Sequence, residues 1–110
     1  MQLPDGSNAF VSSRKLTEYL LSETHAVGRA KAKFFRAFGY DEANSALLEQ
    51  GLLSIAQNEA VVDVVRTSFG TKYVVEGTLE TPSGDRINIR TVWIVEPEGD
   101  RPSFVTAYPA

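Results

Sequence analysis

His25 is the one histidine of the chain, and imidazole is the side chain whose ordinary pKa lies closest to neutral pH. Ser22 or Thr24 just upstream can cap a helix that His25 opens. The dipole at a helix start disfavours the imidazolium, which leaves a neutral ring able to accept a proton, as a general base must. A capping or surface role is the other reading of that position. Gly28, Arg29 and Lys31 follow in the run HAVGRAK, where backbone N–H groups, a small residue and cations would together suit an anion. Lys33 and Arg36 extend His25 and Arg29 into a ridge at i, i+4, i+8 and i+11, which also describes an ordinary solvated face. Further on, Arg90 alternates with Asn88, Val92 and Ile94, and a long cation on a largely apolar face requires a partner or a ligand. Asp63 or Glu76 can be that partner. Thr106 and Tyr108 alternate on the last strand. If this face meets the helices, Arg90, Thr106 and Tyr108 converge with His25 and Lys31 on a shared cleft.

Composition removes many other chemistries. The 110 residues include no cysteine, so disulfide frameworks and thiolate zinc sites are excluded, and a single histidine cannot build a multi-histidine metal cage. There is no phosphate-binding glycine loop, HExxH, EF-hand spacing or GxSxG. No metal or cofactor is called for. Apolar residues make up 43% and charged residues 23% of the chain, the balance of a globular protein rather than a disordered one. The longest apolar runs are far short of the ~20 residues that span a bilayer, so no membrane association is expected and a reducing cytoplasm is the default compartment. The net charge of -3 argues against a surface that grips nucleic acid everywhere. Residues 14–38, however, carry six basic groups against two acidic ones, while the rest of the chain carries five against twelve. An anion-binding surface therefore belongs to the N-terminal half.

The elements that must position these residues change in kind along the chain. Residues 1–13 are a turn-rich, extended lead-in, with Phe10 and Val11 tucked against the body. A helical half follows over 14–58. Ser12 or Ser13 caps a short helix bearing Leu16, Tyr19 and Leu20 on one face, and a second helix over 26–38 buries a stripe of Val27, Ala30, Phe34, Ala37 and Phe38. Gly39 suits a left-handed C-cap, and Asp41 caps a third helix whose buried side is Leu47, Leu48, Leu52 and Ile55, weakened in the middle by Gly51. From residue 60 to 109 the period is two. Strands are predicted over 61–69, 72–81, 86–96 and 103–108, with turns at Gly70–Thr71, at residues 82–85 and at residues 97–100. The chain thus reads as one α+β domain, two or three N-terminal helices packed on one face of a four-stranded antiparallel meander. Exposed sheet edges permit a dimer but nothing fixes the oligomeric state.

The runs KLTEYLL (15–21), HAVGRAKAKFFRAFGY (25–40), FGTKYVVEGTL (69–79), RTVWIVEP (90–97) and PSFVTAYP (102–109) resemble an uncharacterised bacterial domain family found as small proteins and as C-terminal tips of larger ones. The order of elements and the TAYP ending are similar to the barnase, EndoU, colicin and RelE (BECR) group of toxin ribonucleases. That resemblance implies metal-independent cleavage of RNA in a toxin–antitoxin or polymorphic toxin system, with attack by the ribose 2′-OH on the adjacent phosphate. It also implies a cognate antitoxin or immunity protein. His25 would be general base or acid, Lys31 and Arg29 would stabilise the phosphorane, Arg90 would clamp the phosphate, and Thr106 with Tyr108 would orient the substrate. Gly28, Lys33 and Arg36 would complete the phosphate-binding surface. Many such toxins are basic overall, whereas this chain is acidic. The alternative is a non-catalytic module whose basic helix face docks an acidic partner.

Overall fold

The computed structural model describes residues 1–26, 28–99 and 101–110. Four strands form one antiparallel sheet in the order β1-β2-β3-β4, with β1 Val61–Thr67, β2 Gly70–Glu80, β3 Arg86–Val95 and β4 Ser103–Pro109. The short connections expected between antiparallel neighbours are present, and helices cover one face of the meander. On that covered face Val75, Leu79, Ile89, Trp93, Phe104 and Ala107 are buried, with Thr91 among them. Pairing of Val74 with Val92, Glu76 with Arg90, Val92 with Thr106 and Arg90 with Tyr108 puts these side chains on the opposite face.

Three helices precede the sheet. α1 (Ser13–Lys15) is a single α-helical turn whose N-cap Ser12 accepts from the Lys15 amide, and it continues as a π-helical turn over Leu16–Leu20. The Leu21 N–H bonds the Leu16 carbonyl at 2.8 Å, the i→i−5 closure of the wider turn. α2 (Arg29–Ala37) starts three residues later than the periodicity implies. Side chains explain the delay: Ser22 Oγ accepts from the Thr24 and His25 amides, and His25 Nδ1 accepts from the Gly28 amide at 3.0 Å. These bonds make residues 22–26 and 28 a capped turn rather than helix. The buried stripe of α2 also differs from the expected one. Ala32 and Phe35 are wholly buried, whereas Ala30 and Ala37 are exposed and Phe34 and Phe38 only half-buried; Val27 lies outside the described residues. The row Gly28, Ala32, Phe35 wins because small residues let the backbone of α2 approach α1, where a Cβ on Gly28 would stand 2.1 Å from the Tyr19 carbonyl oxygen.

Gly39 takes φ +98 as a left-handed helix terminator. Asp41 and Asn44 then form a capping box that opens a 3-10 turn into α3 (Ser45–Asn58). α3 buries Leu48, Leu52, Ile55 and Ala56, but Leu47 is 53% exposed rather than part of the core. Gly51 does more than weaken the helix: its bare Cα faces Leu79 so closely that a Cβ would lie 2.5 Å from the leucine methyl. The first hairpin turns at Ser68 and Phe69, two residues earlier than predicted, and Gly70 begins β2 at φ +139. The 97–100 turn closes with Gly99 N–H on the Glu96 carbonyl; Asp100 lies outside the described residues. The lead-in is tied to both sheet edges, Gln2 bridging Ala60 beside β1 and Phe10 bridging Ser103 of β4.

Candidate functional site

Two local irregularities meet where the helical half passes the edge of β4. One is the π turn of α1, which carries Tyr19. The other is a bulge in β4, where the partner of Val92 is Thr106 and the partner of Trp93 is Phe104, so Val105 is the extra residue. The Tyr19 hydroxyl and Thr106 Oγ1 share a hydrogen bond of 2.9 Å across that edge. Lys15, one helical step before Tyr19, donates from Nζ to the Val105 carbonyl at 3.2 Å and holds its ammonium 4.8 Å from the centre of the Tyr19 ring. His25 packs edge-to-face with the same ring at 5.1 Å. A single tyrosine therefore connects His25, Lys15 and Thr106.

Beside this arrangement lies an open cleft of about 380 Å³ lined by Ser12, Arg14, Lys15, Glu18, Tyr19 and His25. Two cations against one carboxylate make it favourable to an anion. Arg14 and Glu18 form an exposed i,i+4 ion pair at 2.8 Å, and that hydrogen bond and charge raise the Arg14 pKa further above its already high ordinary value. An exposed pair of this kind contributes little to stability and exchanges readily for another anion. Because His25 Nδ1 accepts the Gly28 N–H, the neutral ring carries its hydrogen on Nε2. Among the described residues no group of three or more His, Cys, Asp or Glu is placed to hold a metal ion, and no helix is long and apolar enough to cross a membrane.

The sequence-predicted residues separate into three places. His25 and Thr106 belong to the tyrosine-linked group. Gly28 is buried beneath it, and its amide goes to His25 rather than outward. Arg29, Lys33 and Arg36 line a different cleft of about 360 Å³ together with Glu23. Arg36 is committed internally: Nε and Nη2 donate to the Leu21 carbonyl at 3.1 and 2.7 Å, and the guanidinium pairs with Glu23 at 3.1 Å and with Glu42. Lys31 is half-exposed on α2 and is not among the residues lining the His25 cleft.

Arg90 and Tyr108 stand opposite one another on the uncovered sheet face, with Arg90 3.5 Å from Glu76. The helices cover the Ile89, Thr91 and Trp93 side, so Arg90 does not meet them as the convergent-cleft expectation required. The two groups are instead joined around the edge of β4, since Thr106 shares its sheet face with Tyr108 and Arg90 while bonding to Tyr19. Lys15 and Tyr19 escaped the sequence reading. Their i,i+4 spacing was visible, but Tyr19 fitted the apolar stripe with Leu16 and Leu20, and no local pattern reveals a contact to a residue 87 positions away.

No curated protein matches the chain. Among solved structures, a chain of a contact-dependent growth inhibition toxin–immunity protein complex from Klebsiella pneumoniae 342 superposes with a TM-score of 0.71 at 21% identity, over 96% of each chain. At that identity the likeness establishes the fold. The family model for the domain of unknown function DUF6883 matches residues 2–110, and the chain belongs to that family.

Proposed function

We propose that the chain is a toxin-type, metal-independent endoribonuclease, and that its reaction centre is the cleft at the β4 edge. The observation that carries this reading is the linkage of His25, Lys15 and Thr106 through Tyr19 beside an anion-favouring cleft. The likeness to a chain from a toxin–immunity complex supports a toxin-system role with a protein partner. RNA offers a phosphodiester with an internal nucleophile, so the protein has only to move protons and stabilise charge.

In the proposed cleavage the 2′-oxygen attacks phosphorus, a cyclic phosphate forms, and the 5′-oxygen departs as a hydroxyl, its proton returned through water from the carboxyl of Glu18. Glu18, the carboxylate lining the cleft, takes the 2′-hydroxyl proton once substrate phosphate has replaced it at Arg14. His25 donates a hydrogen bond from Nε2 to a phosphoryl oxygen as its charge grows. Lys15, which lines the cleft with His25 where Lys31 does not, adds its positive charge. Arg90 exchanges Glu76 for a flanking phosphate on the open sheet face, and Thr106 and Tyr108 orient the strand there. Arg29, Lys31 and Lys33 on α2 contact more distant phosphates, while Gly28 and Arg36 hold the turn that carries His25 in place.

Induced expression in a bacterial host, beside a His25→Ala variant, tests this. Growth arrest with fragmented RNA that the substitution abolishes is expected. A second reading is favoured by one observation, the separate Arg29, Lys33 and Arg36 cleft: a non-catalytic module that docks an acidic partner there. Harmless expression of both folded proteins would select that reading.

A further inference from the structure

We infer that Tyr19 is the positioning residue of this site and that its bond to Thr106 sets the geometry in which His25 works; the kinetic part of this inference rests on the nuclease reading above. Tyr19 makes three contacts that no other residue of the cleft makes together. Its ring edge-packs the imidazole, its face receives the Lys15 ammonium, and its hydroxyl reaches Thr106. Each end of the link is built by a costly local feature. A π turn sets Tyr19, and turns of this width are frequent at functional sites. A bulge sets Thr106, and bulges re-aim side chains beside sites. Lys15 then ties the two features together by bonding the carbonyl of the bulged residue, Val105. Beneath the ring, the Gly28 Cα leaves no room for a side chain against the Tyr19 carbonyl, so the turn that carries His25 is seated directly on the residue that orients it.

The test uses Tyr19→Phe, Thr106→Val, their double variant and Thr106→Ser, each in the full chain. Tyr19→Phe keeps the ring and removes the bond from one side, whereas Thr106→Val removes it from the other. Both are expected to lower kcat by on the order of 10- to 100-fold with KM unchanged. The double variant should fall no further than either single, since both break one interaction. Thr106→Ser, which retains the hydroxyl, should restore most of the rate. Additive losses, or losses in KM alone, would overturn the inference. Because His25 is the one histidine, nitrogen NMR of its ring gives a readout independent of cleavage. Tyr19→Leu should unseat the Gly28 turn, loosen the Gly28 N–H bond to Nδ1 and so shift the ring from the Nε2–H form toward a mixture of tautomers, and Tyr19→Phe, which loses the tether to Thr106, should shift it the same way to a smaller extent. An unchanged ring in Tyr19→Leu would overturn the inference. A wild-type protein that leaves RNA intact, together with the tautomer shift in Tyr19→Leu, would refute the nuclease reading and keep Tyr19 as the residue that orients His25.

Discussion

Replacing Thr91 by valine is expected to cost far more than the loss of one small polar group suggests. Thr91 is completely buried on the covered face of the sheet. Its hydroxyl donates to the Val75 carbonyl at 2.8 Å and accepts from Trp93 Nε1 at 2.8 Å, so one oxygen serves two neighbours. Valine fills nearly the same volume but offers neither bond, leaving the indole N–H buried without an acceptor. An orphaned buried donor costs roughly 1–3 kcal/mol, and the lost bond to Val75 adds about 1 kcal/mol. The expected destabilisation is therefore about 2–4 kcal/mol, a large share of the ~5–15 kcal/mol typical of a domain. Thr91→Ser keeps the hydroxyl and should lose only about 1 kcal/mol through its missing methyl. Urea unfolding followed by the fluorescence of Trp93, the one tryptophan, reads both variants at unchanged m-value. A Thr91→Val protein within ~0.5 kcal/mol of wild type, and no less stable than Thr91→Ser, would refute the assignment of Thr91 as the polar hub of the core.

Gly28→Ala should destabilise the chain by about 1–3 kcal/mol, because the new Cβ would meet the Tyr19 carbonyl, a backbone atom that cannot swing aside; thermal unfolding and the His25 ring resonances would both change. Arg36→Met should cost about 1.5–3 kcal/mol in urea unfolding, since it leaves the Leu21 carbonyl without its charged donor and releases Glu23 and Glu42. Burial raises the Tyr40 phenol above its ordinary pKa of 10.0. A raised folded-state pKa contributes stability that is full below the unfolded value and is lost as pH rises through the folded one. Urea midpoints should therefore fall above about pH 10, and a Tyr40→Phe variant should show a shallower fall.

The change from helical to alternating periodicity near residue 60 was enough to read the architecture, because side-chain period reports directly on which face is buried. Gly39, Asp41 and the turn at residues 82–85 were legible for the same reason, their conformations being set by local chemistry. Local reading failed where long-range packing decided. Leu47 looks like core by spacing, yet the buried side of α3 is made by Leu48, Leu52, Ile55 and Ala56, and Leu47 at its flank is left exposed. Ala32 and Phe35 displaced the expected stripe of α2 because Gly28 lets the backbones touch. At the candidate site, His25 and Thr106 stood out by type and position. Their connection did not, since it runs through a π turn and a bulge, two departures from periodicity that no spacing rule anticipates. Arg90 was recognised as a cation needing a partner, and Glu76 supplies one.

The most direct test of the nuclease account is the end chemistry of RNA incubated with the purified chain in the presence of a metal chelator, beside folded His25→Ala protein. The account predicts fragments ending in 2′,3′-cyclic phosphate and 5′-hydroxyl, with the rate falling at least ~100-fold in the variant. Intact RNA with the wild-type protein, or equal cleavage by both, would contradict it.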